Sequence, residues 1–208
     1  DYTIFIGQQR ISPYAPPGLE GSIAYFSNRN GSYELWLYDL SNGANVQWTK
    51  GLGDSFSIPY WSPDASKIAF VGRDAVLFVI DLETEEIARI DQFEDGFGHY
   101  IDWSTDNESI VYSKKDNIVI YHVTTHQTNI IEKSDTTDVQ WFPSSNEILF
   151  QAPDATGVSQ LYRLMLGETA QQITQNTGGR YNYVRLSPDG KFVLYTTLGA
   201  SNRVGGSG

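Results

Sequence analysis

The sequence predicts an all-β protein, a β-propeller built from four-stranded antiparallel blades, and three observations carry that prediction. The first is a repeated phrase. It stands as Tyr60-Trp61-Ser62-Pro63-Asp64 followed by Ile68-Ala69-Phe70, and again as Asp102-Trp103-Ser104-Thr105-Asp106 followed by Ile110-Val111-Tyr112. It returns as Gln140-Trp141-Phe142-Pro143 followed by Ile148-Leu149-Phe150, and as Arg185-Leu186-Ser187-Pro188-Asp189 followed by Phe192-Val193-Leu194-Tyr195. The steps are 42 residues from Trp61 to Trp103, 38 from Trp103 to Trp141 and 45 from Trp141 to Leu186. A weaker copy ends in Gly21-Ser22-Ile23-Ala24-Tyr25, and Ile23 to Ile68 is again 45 residues. A period of ~40–45 residues holding several short strands is the mark of a propeller blade. The second observation is composition. Trp 5, Tyr 13 and Phe 10, with many Thr, Val and Ile, favour strands. The third is the lack of any long helical pattern: the longest candidate, Leu82 to Arg89, reads better as a turn, because Asp81-Leu82-Glu83-Thr84 closes a strand at a recurring place.

Each unit follows one order. A short first strand runs into the Trp-Ser-Pro-Asp turn, where Pro63 and Pro188 set φ, Asp64 and Asp189 can bond back to the backbone, and Gly190 tolerates positive φ. An apolar second strand follows, then a polar loop: Asn28 to Gly31, Gly72 to Asp74, Lys114 to Asn117, and Asp154 to Gly157. The third strands are Glu34 to Tyr38, Val76 to Ile80, Ile118 to Tyr121 and Gln160 to Leu164. The fourth includes Asn45 to Thr49 and its counterpart Gln171 to Thr174. The departures Thr105 for Pro and Phe142 for Ser are expected to degrade the turn but not the blade.

The chain is read as one domain over 1–208, with units at about 18–52, 53–94, 95–134, 135–178 and a partial unit at 179–208. Residues 1–17 hold Tyr2-Thr3-Ile4-Phe5-Ile6, which alternates and could close the last blade and remove an exposed edge. Two architectures stay open, a ring of about five blades or a fragment of a larger ring. The start at Asp1 suggests a mature or excised segment, and Gly205-Gly206-Ser207-Gly208 reads as a linker.

Charge and composition exclude several functions. With a net charge of −11, the chain offers no basic stripe for nucleic acid and no attraction to an anionic membrane. With no cysteine there is neither a disulfide framework nor a thiolate zinc site, and either redox compartment is permitted. No apolar run is long enough to insert in a bilayer. No Gly-x-Ser-x-Gly elbow, phosphate-cradling loop or EF-hand loop is present, and Ser62 and Ser187 belong to turns. His122 and His126 have the spacing of a helical metal pair, but Val123, Thr124 and Thr125 favour strand and turn, where the two would stand ~13 Å apart. No catalytic residue, cofactor site or metal site is assigned. The tryptophans recur in register and read as core rather than as a carbohydrate platform.

In a propeller the loop before the first strand and the loop between the second and third strands open on one face. That face would gather Asn28, Arg29, Arg73, Asp74, His99, Tyr100, Lys114, Lys115, Arg180, Tyr181 and Tyr183. Loops held on a rigid scaffold carry much of protein binding, and Tyr and Arg are favoured anchors. The expected function is therefore a non-catalytic binding module for a protein or a small ligand. A carbohydrate-active propeller enzyme is a further alternative, for which only His99 is suggestively placed.

The pattern Trp-Ser-Pro-Asp-x-x-x-Ile-Ala-Phe, then a Gly/Asp loop, then Leu35-Trp36-Leu37-Tyr38-Asp39-Leu40, resembles the WD40-like repeat of TolB-type propellers from about Gly18 onward. The same style occurs in the propeller domains of prolyl-oligopeptidase-type peptidases. The resemblance implies a bacterial extracytoplasmic protein, periplasmic or at the cell surface, used in protein–protein recognition; such rings usually have six blades, which favours a fragment. It also implies an alternative, a propeller that gates substrate for a serine peptidase whose hydrolase domain is absent here. The matched positions are structural, so no family binding residue is carried over.

Overall fold

A computed structural model describes residues 20–94, 100–143 and 146–197. Among them all the regular structure is β, apart from one 3₁₀ turn at Arg73–Ala75. The chain divides into two compact units, 1–59 and 60–208, each described here by itself. The possible closing strand Tyr2 to Ile6 and the residue His99 lie outside the described residues.

The first unit holds one antiparallel sheet in the order β1 (Ser22–Ser27), β2 (Glu34–Asp39), β3 (Asn45–Gln47). Two turns set its register. Gly31 N–H donates to the Asn28 carbonyl at 2.9 Å, with Gly31 at φ 100°. The Asp39 carboxylate accepts from Ser41 N–H and Asn42 Nδ2, each at 2.8 Å, folding the chain from β2 into β3. Beyond β3 the chain is held by a buried carboxylate. Glu34 accepts from Ser32 Oγ at 2.6 Å, Thr49 Oγ1 at 2.8 Å and Gly51 N–H at 2.6 Å. Thr49 Oγ1 in turn accepts Leu35 N–H at 2.8 Å. Burial alone would push the Glu34 carboxyl up; the hydrogen bonds from Ser32, Gly51 and Thr49 outweigh it and hold the group below its usual range.

The second unit stacks four sheets: β4 (Tyr60–Trp61) to β7 (Ile87–Gln92) through β5 (Lys67–Val71) and β6 (Val76–Asp81); β8 (Ile101–Trp103) to β11 (Thr128–Glu132) through β9 (Ser109–Lys114) and β10 (Asn117–His122); β12 (Thr137–Trp141) to β15 (Gln171–Gln172) through β13 (Glu147–Pro153) and β14 (Ser159–Met165); and the two-stranded pair β16 (Tyr181–Leu186), β17 (Val193–Thr197). Each sheet is an antiparallel meander, the order expected of a blade. The region read as the turn Leu82 to Arg89 divides: the turn ends before Ile87, where β7 begins.

Alternation along each strand sends successive residues into different cores. Ala69, Leu77 and Val79 pack with Trp103, Ile110 and Tyr112, between the β4–β7 and β8–β11 sheets. The opposite face of the latter, with Val111, Ile118 and Ile120, packs on Val139, Trp141, Ile148 and Phe150. Leu149 and Leu161 pack on Tyr181 and Val184 of the last sheet. A sheet buried on both faces in this way explains near-continuous apolar runs such as Ile110-Val111-Tyr112.

The repeated turn survives where it was expected to degrade. Ser62 Oγ donates to Asp64 Oδ1 at 2.7 Å and accepts Lys67 N–H at 2.9 Å. In the copy lacking proline, Ser104 Oγ still bonds Asp106 and accepts Ser109 N–H at 2.9 Å. The Ser–x–Asp pair, rather than the proline, fixes this turn.

Gly53 sits against the first sheet. A Cβ there would run into the Tyr33 carbonyl oxygen and lie 2.8 Å from the Tyr33 carbonyl carbon and 2.9 Å from Phe26 Cδ1. Because the obstacle is backbone, Gly53→Ala is expected to cost about 1–3 kcal/mol, read as a lower denaturant midpoint. A variant with an unchanged midpoint would show that the Tyr33 segment yields freely.

Candidate functional site

The first strands of the second unit, β4, β8, β12 and β16, are mutual neighbours, β4 with β8, β8 with β12, and β12 with β16. Reading the repeat as columns aligns Tyr60, Asp102, Gln140 and Arg185, each just before the Trp or Leu that enters the core. Two residues upstream, a second column holds Tyr100, Asp138 and Tyr183.

The first column ties sheet to sheet. Trp141 N–H donates to Asp102 Oδ2 at 2.7 Å. Gln140 repeats the device one sheet later: its Nε2 donates to the Val184 carbonyl at 2.8 Å, and its Oε1 accepts Leu186 N–H at 3.3 Å. Trp103 Nε1 donates back to the Tyr60 carbonyl at 3.0 Å. Arg185 ends the series. Its guanidinium donates to the Val184 carbonyl at 2.7 Å and lies 5.2 Å from the centre of the Tyr100 ring.

The second column is shaped by bulges. Register shifts between Thr137 and Gln140 in β12 and between Asn182 and Arg185 in β16. Asp138 and Tyr183 take positive φ, 51° and 53°. Asp and Asn enter this region more easily than most residues, whereas tyrosine there is uncommon. The bulges leave these side chains in different surroundings: Asp138 is 6% exposed and Tyr183 is 71% exposed.

Electrostatics join the two columns. Burial pushes the Asp102 carboxyl up to about 6, against the Trp141 and Trp103 N–H groups and Arg185, which favour its charged form. Burial also raises Asp138, opposed by Arg185, Arg180 and the Thr137 hydroxyl. Burial raises the Tyr60 hydroxyl to about 12, again opposed by Arg185. Tyr100 is raised by burial and by Asp138. Arg185 is thus the cation that Tyr60, Tyr100, Asp102 and Asp138 all sense.

The face expected from the sequence is placed piecemeal. Arg29 lies over the Tyr25 and Trp36 rings, 5.2 and 4.4 Å from their centres, beside the Asn28 turn of the first unit. Arg73 and Asp74 form the exposed 3₁₀ turn, where Gln92 Nε2 donates to the Asp74 carbonyl at 3.1 Å. Lys114 pairs with Asp91 at 2.6 Å and Lys115 with Glu94. Tyr181 is a core residue, not a surface one. Among the described residues of that set, Tyr100, Arg180 and Tyr183 join the inner-strand cluster. Asp102, Asp138, Arg185 and Tyr60 were missed by sequence reasoning. For Tyr60, Asp102 and Arg185 the signal available was the first column itself, four unlike polar residues amid apolar neighbours; Asp138 stood two residues upstream of it.

The two histidines are separately engaged: His122 Nε2 lies 3.2 Å from Glu108, and His126 Nδ1 lies 2.7 Å from the Tyr121 hydroxyl. Among the described residues no group of three or more His, Cys, Asp or Glu is arranged to hold a metal. No helix there is long and apolar enough to cross a membrane.

Stacked four-stranded meanders joined along their first strands define a propeller array. The chain belongs to the TolB β-propeller domain family, whose model matches residues 17–205. A solved TolB from Acinetobacter baumannii is similar over 84% of this chain and 46% of its own, with TM-score 0.61 and 23% identity. An oligogalacturonate lyase from Vibrio parahaemolyticus is similar over 88% of this chain and 57% of its own, with TM-score 0.70 and 16% identity. Residues here are 31% identical over 106 positions to an uncharacterised peptidase, YuxL, of Bacillus subtilis (strain 168), covering 47% of this chain and 16% of that protein. The chain therefore spans about half of the solved relatives and a sixth of the peptidase. At these identities the solved structures share its fold.

The Asp102 carboxyl gives a signed test. Its folded value, raised to about 6, exceeds an unfolded value near 4, so its contribution is full below pH ~4 and is lost as pH rises through 6. Asn keeps an acceptor for Trp141 N–H without the buried charge. Asp102→Asn is expected to be more stable than the parent at pH 7, by about 1–2 kcal/mol, with the gain shrinking toward pH 4. Denaturant melts at both values check it; a variant less stable at pH 7 would mean that the charge itself holds the sheets.

Proposed function

We propose that this chain is a non-catalytic recognition module that binds a protein partner through the end of the array where Tyr100, Arg180, Tyr183 and Arg185 gather. The observation that carries this is Tyr183, a large ring 71% exposed on a bulged inner strand beside an exposed arginine. Tyrosine on a rigid strand makes a favourable anchor, because with two χ angles it loses little freedom on binding, and arginine adds a planar set of directed donors. Membership in the TolB family supports the same reading and, with it, a place outside the cytoplasm, in the periplasm or at the cell surface.

A second reading has one observation in its favour, the 31% identity to the YuxL peptidase. There the same end would filter substrate for a hydrolase domain elsewhere in a longer protein. Peptide hydrolysis by the full-length parent, lost when its nucleophile is replaced, would establish that reading over the first.

Site-specific photocrosslinking in the source cell separates recognition from inertness. A photoreactive phenylalanine at position 183 is expected to yield a defined adduct. The same residue at Ile130, 63% exposed on the outermost strand β11, is expected to yield none. Equal labelling from both positions would defeat the proposal.

A further inference from the structure

The cluster contains an acceptor without a donor. Asp138 Oδ1 is buried, in a residue only 6% exposed, and among the described residues it accepts no hydrogen bond; the neighbouring Thr137 hydroxyl, buried too, favours the charged carboxylate without closing a bond of good geometry to that oxygen. Leaving a buried carboxylate oxygen unpaired costs free energy unless a donor arrives, so such an atom on an inner strand points to a missing partner. The bulge fixes Asp138 in place through the backbone, at φ 51°. Arg185 lies within electrostatic reach of both Asp138 and Asp102, yet forms no salt bridge with either among the described residues. Its Nη1 is turned to its own strand's Val184 carbonyl, while its guanidinium carbon lies 5.2 Å from the centre of the Tyr100 ring. Asp102 keeps Oδ2 for Trp141 N–H.

Arg185 lies 5.2 Å from the centre of the Tyr100 ring and within the electrostatic reach of Asp102 and Asp138, so an aromatic ring and two carboxylates already share one cation, a set suited to a planar one. Guanidinium fits it better than ammonium, because it can stack on tyrosine and donate in its own plane to a carboxylate. The net charge of −11 would draw a basic segment toward it. Resting on the recognition reading above, we propose that the slot formed by Tyr100, Asp102 and Asp138 takes an arginine side chain of the partner protein, and that Arg185 covers it in the free protein. On binding, the partner's guanidinium stacks on Tyr100 and donates to Asp138 Oδ1, and Arg185 swings toward solvent beside Tyr183.

The test is an amide-resolved NMR titration of the full chain with N-acetyl-arginine amide, with N-acetyl-lysine amide and N-acetyl-norleucine amide alongside. Saturable shifts at the Tyr100, Asp138 and Val184 amides are expected with the arginine probe, at a dissociation constant on the order of millimolar, as befits one side chain. The lysine probe should bind several-fold more weakly and the norleucine probe not at all. Asp138→Asn, whose asparagine tolerates the same φ, should weaken binding at least about tenfold. Arg185→Gln should strengthen it several-fold, since the covering group is gone. Absence of saturable shifts overturns the proposal, as does unchanged or weaker binding by Arg185→Gln. Should Asp138→Asn fail to fold, the Arg185→Gln result decides. Crosslinking from position 183 together with a silent arginine probe would sink this inference and leave the recognition reading standing.

Discussion

Trp141 N–H on the Asp102 carboxylate is the kind of contact on which the second unit depends. A four-stranded sheet cannot bury its faces alone; each must be capped by the next. Apolar packing supplies most of that energy but little direction. Hydrogen bonds between sheets fix how far each is displaced from its neighbour. Gln140 performs the same task with a carboxamide, meeting Val184 and Leu186, and Trp103 bonds backward to Tyr60. These bonds span one repeat, so position is passed along the array by nearest neighbours.

Within a sheet the closing step also recurs with altered chemistry. Glu34 at the start of β2 and Gln160 near the start of β14 each meet a threonine from the segment after the following strand, Thr49 beyond β3 and Thr174 beyond β15. In both, the threonine hydroxyl accepts the N–H of the next residue along that strand, Leu35 or Leu161. A carboxylate and a carboxamide both fill the place because each offers an acceptor oxygen to the threonine, and the carboxamide adds a donor to the Asn176 carbonyl. Charge is incidental to that acceptor role.

Much of the fold was legible because it rests on features that leave marks in one strand of letters. The Ser–x–Asp turn, the apolar second strands and the polar loops all recur, and β5, β9 and β13 fall where Ile68, Ile110 and Ile148 place them. The site was far less legible. Nothing local announces that Asp138 and Tyr183 enter bulges with positive φ, since that follows from how β12 and β16 meet β13 and β17. Lys114 and Lys115 looked available as loop cations, but Asp91 and Glu94 reach them from the end of the preceding sheet and beyond. Tyr181 looked like a loop aromatic and is drawn inward by Leu149 and Leu161. Asp102 and Arg185 were passed over as strand residues, because their meaning emerges only when the repeats are laid over one another.

The column Tyr60, Asp102, Gln140, Arg185 has a consequence for how such a molecule changes over generations. At Asp102 and Gln140 the side chain bonds the next sheet's backbone, at Tyr60 the main-chain carbonyl takes the bond, and at Arg185 the guanidinium turns to its own strand, so four different side chains occupy the position. A duplicated blade can therefore drift at this one letter without losing its seat in the stack. Novelty in what the array prefers to hold can accumulate by single exchanges along its inner lining, while the apolar layers between blades stay as they are.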